Sequence, residues 1–417
     1  MSGNFKMDKN ERAYLRELAK RQLECANLPI MAERAKRWYA HNDLRGGKPL
    51  IVVEHNSFAE EILPQSKCHN AEAKEIERQL CMWLANHEMI NDDKVIPPYY
   101  AVYWDIRCKD FDIDMRVTHA EDRAGRRLGY AVEHIINNLE KDFPKLKPSR
   151  YGVDRGRTLK WKTFVEEAIG DILPVVLKNN SLYWHVTPSE KVVRLMGLEG
   201  MMYAMADYPE TMKALFRFIT DDVLSYVRWQ EREGLLTCNN GNDFMGSGSY
   251  GFSATLPSKT EHVTAKDLWI NINSQETAAV SPEMYGEFIA PYYSELAAAF
   301  GLLYYGCCEP VDGIWQYVRE YPNLRKISVS PWCDEERMGD NLRGGAVIYS
   351  RKPSPNDIGI VRRFDETAFA GHIARTLRAA RDCRLEFIFR DVYTLSGDNS
   401  KPGRAVEITR NLIDSMW

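Results

Sequence analysis

Short, continuous apolar runs alternate along most of the chain with longer stretches whose apolar positions recur at helical spacing. A short apolar run closed by polar residues fits a strand buried on both faces of a parallel sheet, and the longer period fits an amphipathic helix. The first strand-like run, 49–53, ends in Glu54, His55 and Asn56. The pattern returns at 94–97, leading to Tyr103, Trp104 and Asp105, and at 172–177, leading to Lys178, Asn179 and Asn180. It returns again at 235–238 before Asn239, Asn240, Gly241, Asn242 and Asp243, and at 267–270 before Asn271, Gln275 and Glu276. The runs 301–304, 327–330, 346–349 and 385–389 lead to Cys307-Cys308-Glu309, Trp332-Cys333-Asp334, Arg351-Lys352 and Arg390-Asp391.

Between the runs lie helical stretches such as 281–300, opened by Ser281-Pro282-Glu283 with proline in a first-turn position. Strand and helix repeated this often predict a parallel sheet, and polar clusters that always follow the strand predict a one-ended site, which together describe a (β/α)8 TIM barrel. Nine runs compete for eight places, so one is peripheral or misread. Residues 9–45 carry helical spacing with Leu15, Leu18 and Leu23 among charges, which predicts a helical extension over 1–47 ahead of a barrel over 48–417.

Composition narrows the picture. The chain has 417 residues, 44% hydrophobic and 27% charged, enough apolar material for a large core. A net charge of −4 with no basic block argues against nucleic acid as a partner. No apolar run approaches the roughly 20 residues that span a bilayer, and the opening Met1-Ser2-Gly3-Asn4 does not begin a signal peptide, so a cytoplasmic protein without a membrane partner is expected. The 9 cysteines are scattered, as in a reducing compartment, which leaves Cys307 and Cys308 available as thiols or metal ligands.

Several segments resemble the uroporphyrinogen decarboxylase superfamily, which includes zinc-dependent methyltransferases that move methyl groups from methylcorrinoids to thiols. They are Gly197-Leu198-Glu199-Gly200-Met201 with Tyr208-Pro209-Glu210, and Val280 through Tyr285 with Pro291-Tyr292-Tyr293. Leu303 through Pro310, Ser328 through Asp334 and Arg351-Lys352-Pro353 complete the set. The resemblance implies a barrel from about Lys48 onward and a methyltransferase-like activity, with Zn2+ or a corrinoid on a partner protein as cofactors. The stretch 48–57 lacks the Arg-rich motif of the porphyrinogen decarboxylases, which argues against that reaction. The methyltransferase branch places His-x-Cys late in the chain and a further Cys after the last strand. Here Tyr305 stands in the His position, Cys307 in the first Cys position, and Arg390-Asp391 where the last Cys would be.

Cys307, Cys308 and Glu309 form the sharpest chemical signal: thiolates and a carboxylate can hold Zn2+ with an open position. Packing of either thiol as a small buried hydrophobe is the bland reading. Glu54, His55, Asp243 and Asp391 are the catalytic candidates; His55 suits acid-base work or metal ligation, with a hydrogen-bonded structural histidine as the alternative. Asn240, Asn242 and Gln275 could bind a substrate's polar groups, although Asx-rich turns also cap backbone. Arg351, Lys352 and Arg390 point to an anionic substrate or to salt-bridged strand ends, and Trp332 to a pocket wall. The glycines of 246–251 match the dinucleotide fingerprint formally, but no helix pattern follows them. Methyl transfer is thus the leading expectation. A metal-independent decarboxylase or lyase of a small acid, using Arg351, Lys352 or Arg390 with Asp105, Asp243 or Asp391, is the second. A binder of small molecules or corrinoid without turnover is the third.

Overall fold

The computed structural model describes residues 5–121, 127–258 and 261–417; the opening Met1-Ser2-Gly3-Asn4 lies outside them. Among these residues eight strands run in two parallel ladders. A six-stranded sheet has the order β1 (Leu50–Val53), β12 (Arg384–Phe389), β11 (Ile348–Arg351), β10 (Leu324–Val329), β9 (Leu302–Tyr305), β8 (Trp269–Ile272), and a separate pair joins β2 (Tyr100–Tyr103) to β7 (Val175–Lys178). The long crossover from β2 to β7 holds two antiparallel hairpins, β3 (Ile106–Lys109) with β6 (Arg150–Val153) and β4 (Val117–Glu121) with β5 (Arg127–Val132). The chain is therefore a mixed α/β protein around a parallel sheet, and no backbone ladder closes the described strands into a barrel.

Side chains occupy both open edges of the large sheet. At β1, the amides of Ile51 and Val53 donate to the carboxylates of Asp93 and Asp92, each at 2.8 Å, and the Asp93 amide returns a bond to the Ile51 carbonyl. At β8, the Asn239 side chain accepts from the Trp269 amide and donates to its carbonyl, both at 2.9 Å. These groups satisfy edge donors and acceptors that a further strand would otherwise meet. The Asn242 amide then reaches the Val95 carbonyl at 2.7 Å, which ties the 239–243 segment to the 92–97 segment.

The apolar runs form strands because they are buried on both faces. In β12, Leu385, Phe387 and Phe389 join the large core under the helices, whereas Ile388 packs inward with Leu50 and Val52 of β1, the period of two that a pleat imposes. Two runs differ from the sequence reading. The 94–97 segment is irregular and the strand forms at 100–103; 235–238 forms no strand, and its neighbours bond to it through side chains. The stretch 281–300 is two helices, Pro282–Phe288 and Ala290–Ala299, because Pro291 has no amide to continue the first.

At the N-terminus, α1 (Lys9–Ala26) starts on a capping box between Asp8 and Glu11, and α2 (Pro29–Asn42) starts at Pro29. Helix α2 carries Trp38 and His41 under the amino-terminal half of the sheet. There the Lys326 ammonium bonds Glu386 at 2.9 Å, both side chains with 0% exposure, while His41 Nε2 lies 3.2 Å from the same carboxylate. Lys326 also sits 5.2 Å from the centre of the Trp38 ring. Burial opposes ionisation of Glu386, but Lys326 and His41 outweigh it and hold its carboxyl well below the usual range. No helix among the described residues is long and apolar enough to cross a membrane.

Candidate functional site

The carboxyl ends of β1, β9, β11 and β12 bring Glu54, Cys307, Cys308, Lys352, Arg390 and Asp391 to one region. Their parallel registers place these ends side by side, with Val53 opposite Phe389, Arg351 opposite Phe387 and Val329 opposite Arg351. Arg390 is the hub. Its Nε lies 3.1 Å from Glu54 and 3.3 Å from Asp391, one terminal nitrogen donates to Ser247 Oγ at 2.9 Å, and the Trp184 ring centre is 6.0 Å away. Burial works against its charge, but Glu54, Cys307 and Asp391 more than compensate and raise its pKa.

Cys307 and Cys308 face each other with sulfurs 3.4 Å apart, and Cys308 Sγ lies 3.5 Å from Asp391. The hydrogen bond from Cys308 lowers the Cys307 thiol pKa; burial opposes this, and Arg390 and Lys352 assist it. The same bond and burial push the Cys308 thiol upward. Lys352, almost fully buried, donates to Ser328 Oγ at 2.6 Å and Tyr304 OH at 2.8 Å. Burial and the neighbouring Arg390 pull its pKa down to about 8.

Glu309 serves the loop. One oxygen accepts from the Ser274 amide and the other from the Cys307 amide, each at 2.8 Å, which clamps the ends of β8 and β9 together. With both carboxylate oxygens so used and two cations, Arg390 and Lys352, acting on Cys307, the set Cys307, Cys308 and Glu309 does not fit a divalent metal as arranged. Tyr305, in the position where the resemblance calls for histidine, turns into the helix layer and bonds Ser274 Oγ and Tyr285 OH, both at 2.6 Å.

Beside this cluster is a cavity of about 470 Å³ whose wall includes Tyr99, Tyr103, Lys178, Asn242, Asp243 and Asn271. Lys178 and Asp243 pair at 2.5 Å within it. The Oδ1 atoms of Asn242 and Asn271 are shut off from solvent without a hydrogen-bond partner, a costly state in the wall of the cavity. Cavity and cysteines adjoin through Asn271, whose amide donates to the Tyr304 carbonyl at 3.0 Å and to the Gly306 carbonyl at 3.4 Å.

Other expected site residues are engaged elsewhere or, in the case of His55, line the cavity with both ring nitrogens already used. Arg351 is turned into the helix layer, where it pairs with Glu335 and donates to the Ser330 carbonyl at 2.6 Å, because odd-numbered positions of β11 face outward. His55 is buried: its Nδ1 lies 2.8 Å from the Lys94 ammonium and its Nε2 lies 3.2 Å from the Met82 carbonyl. Burial first and Lys94 second lower its pKa to about 3, so it is a neutral structural histidine, not an acid-base group. Asn240 caps backbone through the Ser253 and Leu256 carbonyls, each at 3.0 Å. Asp105 pairs with Arg107 and Arg157 at the surface. Gln275 is exposed, and Trp332 is 75% exposed instead of lining a pocket.

Pattern reading missed Ser247, Lys178 and Asn271. Lys178 had the signal of a strand end; Asn271 directly follows the apolar run of 267–270 but lies inside β8, which continues to Ile272. In a separate group, His185, a lesser candidate in the sequence beside His55, meets Cys108 and Asp110, which the pattern did not single out; the three offer donor atoms all within 4.8 Å of one another.

No family model matches the chain, and no curated protein matches it. Among solved structures it is similar to a methyltransferase from Methanosarcina mazei, with a TM-score of 0.49 and 12% identity over 92% of this chain and 98% of that one.

Proposed function

We propose that the chain is an enzyme of the methyl-transfer kind, in which the Cys307 thiolate accepts a methyl group from a small anionic substrate whose charge meets Arg390. The observation that carries this reading is the close approach of Cys307, which is buried, and Cys308, with sulfurs 3.4 Å apart, where Arg390 and Asp391 also meet. A thiolate is a soft nucleophile suited to saturated carbon. The new bond forms between Cys307 Sγ and the methyl carbon as the bond from that carbon to its heteroatom breaks. The electron pair leaves on the heteroatom, which takes the Cys308 proton. A small thiol then returns its proton to Cys308 and, as thiolate, takes the methyl carbon while the bond from that carbon to Cys307 Sγ breaks and its electron pair restores the Cys307 thiolate; a corrinoid in the Co(I) state on a partner protein would be the other acceptor, with Cys308 reprotonated from solvent. The cavity of about 470 Å³ beside the cysteines has room for a small substrate, with Lys178 and Asp243 as its charged wall.

The test uses small deuterated methyl donors that carry a carboxylate, S-methylated thiol acids and N-trimethylated amino acids, with peptide mass spectrometry. Label is expected on Cys307 and nowhere else, and Cys307→Ser should cut turnover by roughly a hundredfold or more. Full turnover in Cys307→Ser would end this reading.

A metal-independent decarboxylase or lyase has one observation in its favour, the amine of Lys352 at about 8 beside Arg390. It predicts carbon dioxide release that survives Cys307→Ser and disappears in Lys352→Met.

A further inference from the structure

A second group of metal-type donors stands apart from the Cys307 cluster. Cys108 lies in β3, Asp110 follows that strand, and His185 comes from the turn after β7, so the hairpin of β3 and β6 must fold back over that turn to bring them together. The Cys108 sulfur, an Asp110 carboxylate oxygen and a His185 ring nitrogen all fall within 4.8 Å of one another. The His185 ring lies 4.1 Å from the Tyr226 ring, which holds its orientation. Its Nε2 is shut off from solvent and has no hydrogen-bond partner. A buried imidazole nitrogen left unpaired beside a thiol and a carboxylate has the chemistry of a ligand waiting for an ion.

We propose that Cys108, Asp110 and His185 bind one divalent cation of the zinc class, with a fourth position open to water or a small anion. One thiol, one imidazole and one carboxylate are the mixed donors that a borderline ion prefers over calcium or magnesium, which take oxygen alone. Zinc bonds of about 2.0–2.3 Å in a tetrahedron set donors roughly 3.3–3.8 Å apart; Cys108 Sγ and Asp110 already stand at 3.4 Å, and the His185 nitrogen, within 4.8 Å of both, has at most about 1.5 Å to close. Two of them sit on a turn and at a strand end, where such a shift costs little. Binding displaces the Cys108 proton to solvent. The group already holds one cation: Lys191 donates to Asp110 at 2.8 Å, where Cys108 Sγ also lies 3.4 Å from the same oxygen. A metal ion therefore competes with the Lys191 ammonium for Asp110. This site does not rest on the methyl-transfer reading, since it shares no residue with Cys307 and Cys308.

The experiment titrates the full chain, stripped with chelator, with Zn2+ against a chromophoric competitor, and with Co2+ followed by its thiolate charge-transfer band. One equivalent is expected, with the cobalt band present. Cys108→Ser should abolish the band, His185→Gln should weaken Zn2+ by at least about tenfold, and Lys191→Met should tighten it by removing the competing charge. Cys308→Ser, outside this cluster, should leave Zn2+ affinity unchanged. Because the first two variants could misfold, Lys191→Met and the wild-type cobalt spectrum carry the decision independently. Absence of stoichiometric metal in both wild type and Lys191→Met overturns the proposal, as does a cobalt band that persists in Cys108→Ser or vanishes in Cys308→Ser.

Discussion

At the scale of single residues, environment assigns roles that residue type leaves open. His55 follows a strand and has the ring of an acid-base catalyst, yet burial and Lys94 keep it neutral down to about 3. The unfolded chain titrates this ring near 6.5, so between those values the unfolded state binds more protons than the folded one. Stability from this group is therefore complete above 6.5 and falls as the pH drops toward 3, by up to roughly 5 kcal/mol. In His55→Gln, which can still accept from Lys94 and donate to Met82, denaturation midpoints measured across that window should show a shallower acid slope. A slope as steep as that of the parent would assign the acid loss to other groups.

At the scale of elements, the loop 246–250 aims the site. It delivers Ser247 to Arg390 and, through the Ser247 hydroxyl, to the Gly306 carbonyl at 3.1 Å. It can do so because Gly248 has φ +87° and because a Cβ there would stand 2.1 Å from Ile388 Cγ2. Gly248→Ala should cost roughly 2–4 kcal/mol in chemical denaturation, from the left-handed backbone and the collision with β12 together. A variant as stable as the parent would mean that the loop does not hold this close approach. The helices beneath the site follow simpler rules: the break before Pro291, which the reading of 281–300 as one helical stretch passed over, comes from a residue with no amide to donate.

At the scale of the whole molecule, an ion pair joins elements from the two ends of the chain. Glu386 of β12 meets Lys326 of β10 and His41 of α2 in the fully buried interior, under the ring of Trp38. Glu386→Gln strands the Lys326 ammonium and should cost roughly 3–5 kcal/mol, whereas the pair Glu386→Leu with Lys326→Met should recover most of that loss. Equal stability of the Gln variant and the parent would show that Lys326 is already neutral in the folded chain. This interior polar group also explains why α2 packs where it does: its indole and imidazole cover charges that a purely apolar helix would leave unpaired.

Much of the sheet was legible because strands buried on both faces must be apolar throughout. Seven of the nine runs reappear as parallel strands, and an eighth strand forms just past the 94–97 run. The gathering of Glu54, Cys307, Lys352, Arg390 and Asp391 was legible for the same reason, since parallel strands release their following residues at one end. Side-chain direction was not. Arg351 and Lys352 are neighbours in sequence, and only the pairing of β11 with β10 and β12 sends one to the helix layer and the other to the cysteines.

The alternation of apolar and polar segments by itself fixed which stretches become parallel strands and which residues leave their carboxyl ends, because burial and pleat are local demands. Tertiary structure alone decided that Glu309 is a backbone clamp, that Cys308 lies between Cys307 and Asp391, and that Cys108, Asp110 and His185 meet. Those outcomes depend on partners far away in the chain, and no local pattern records a contact that folding itself creates.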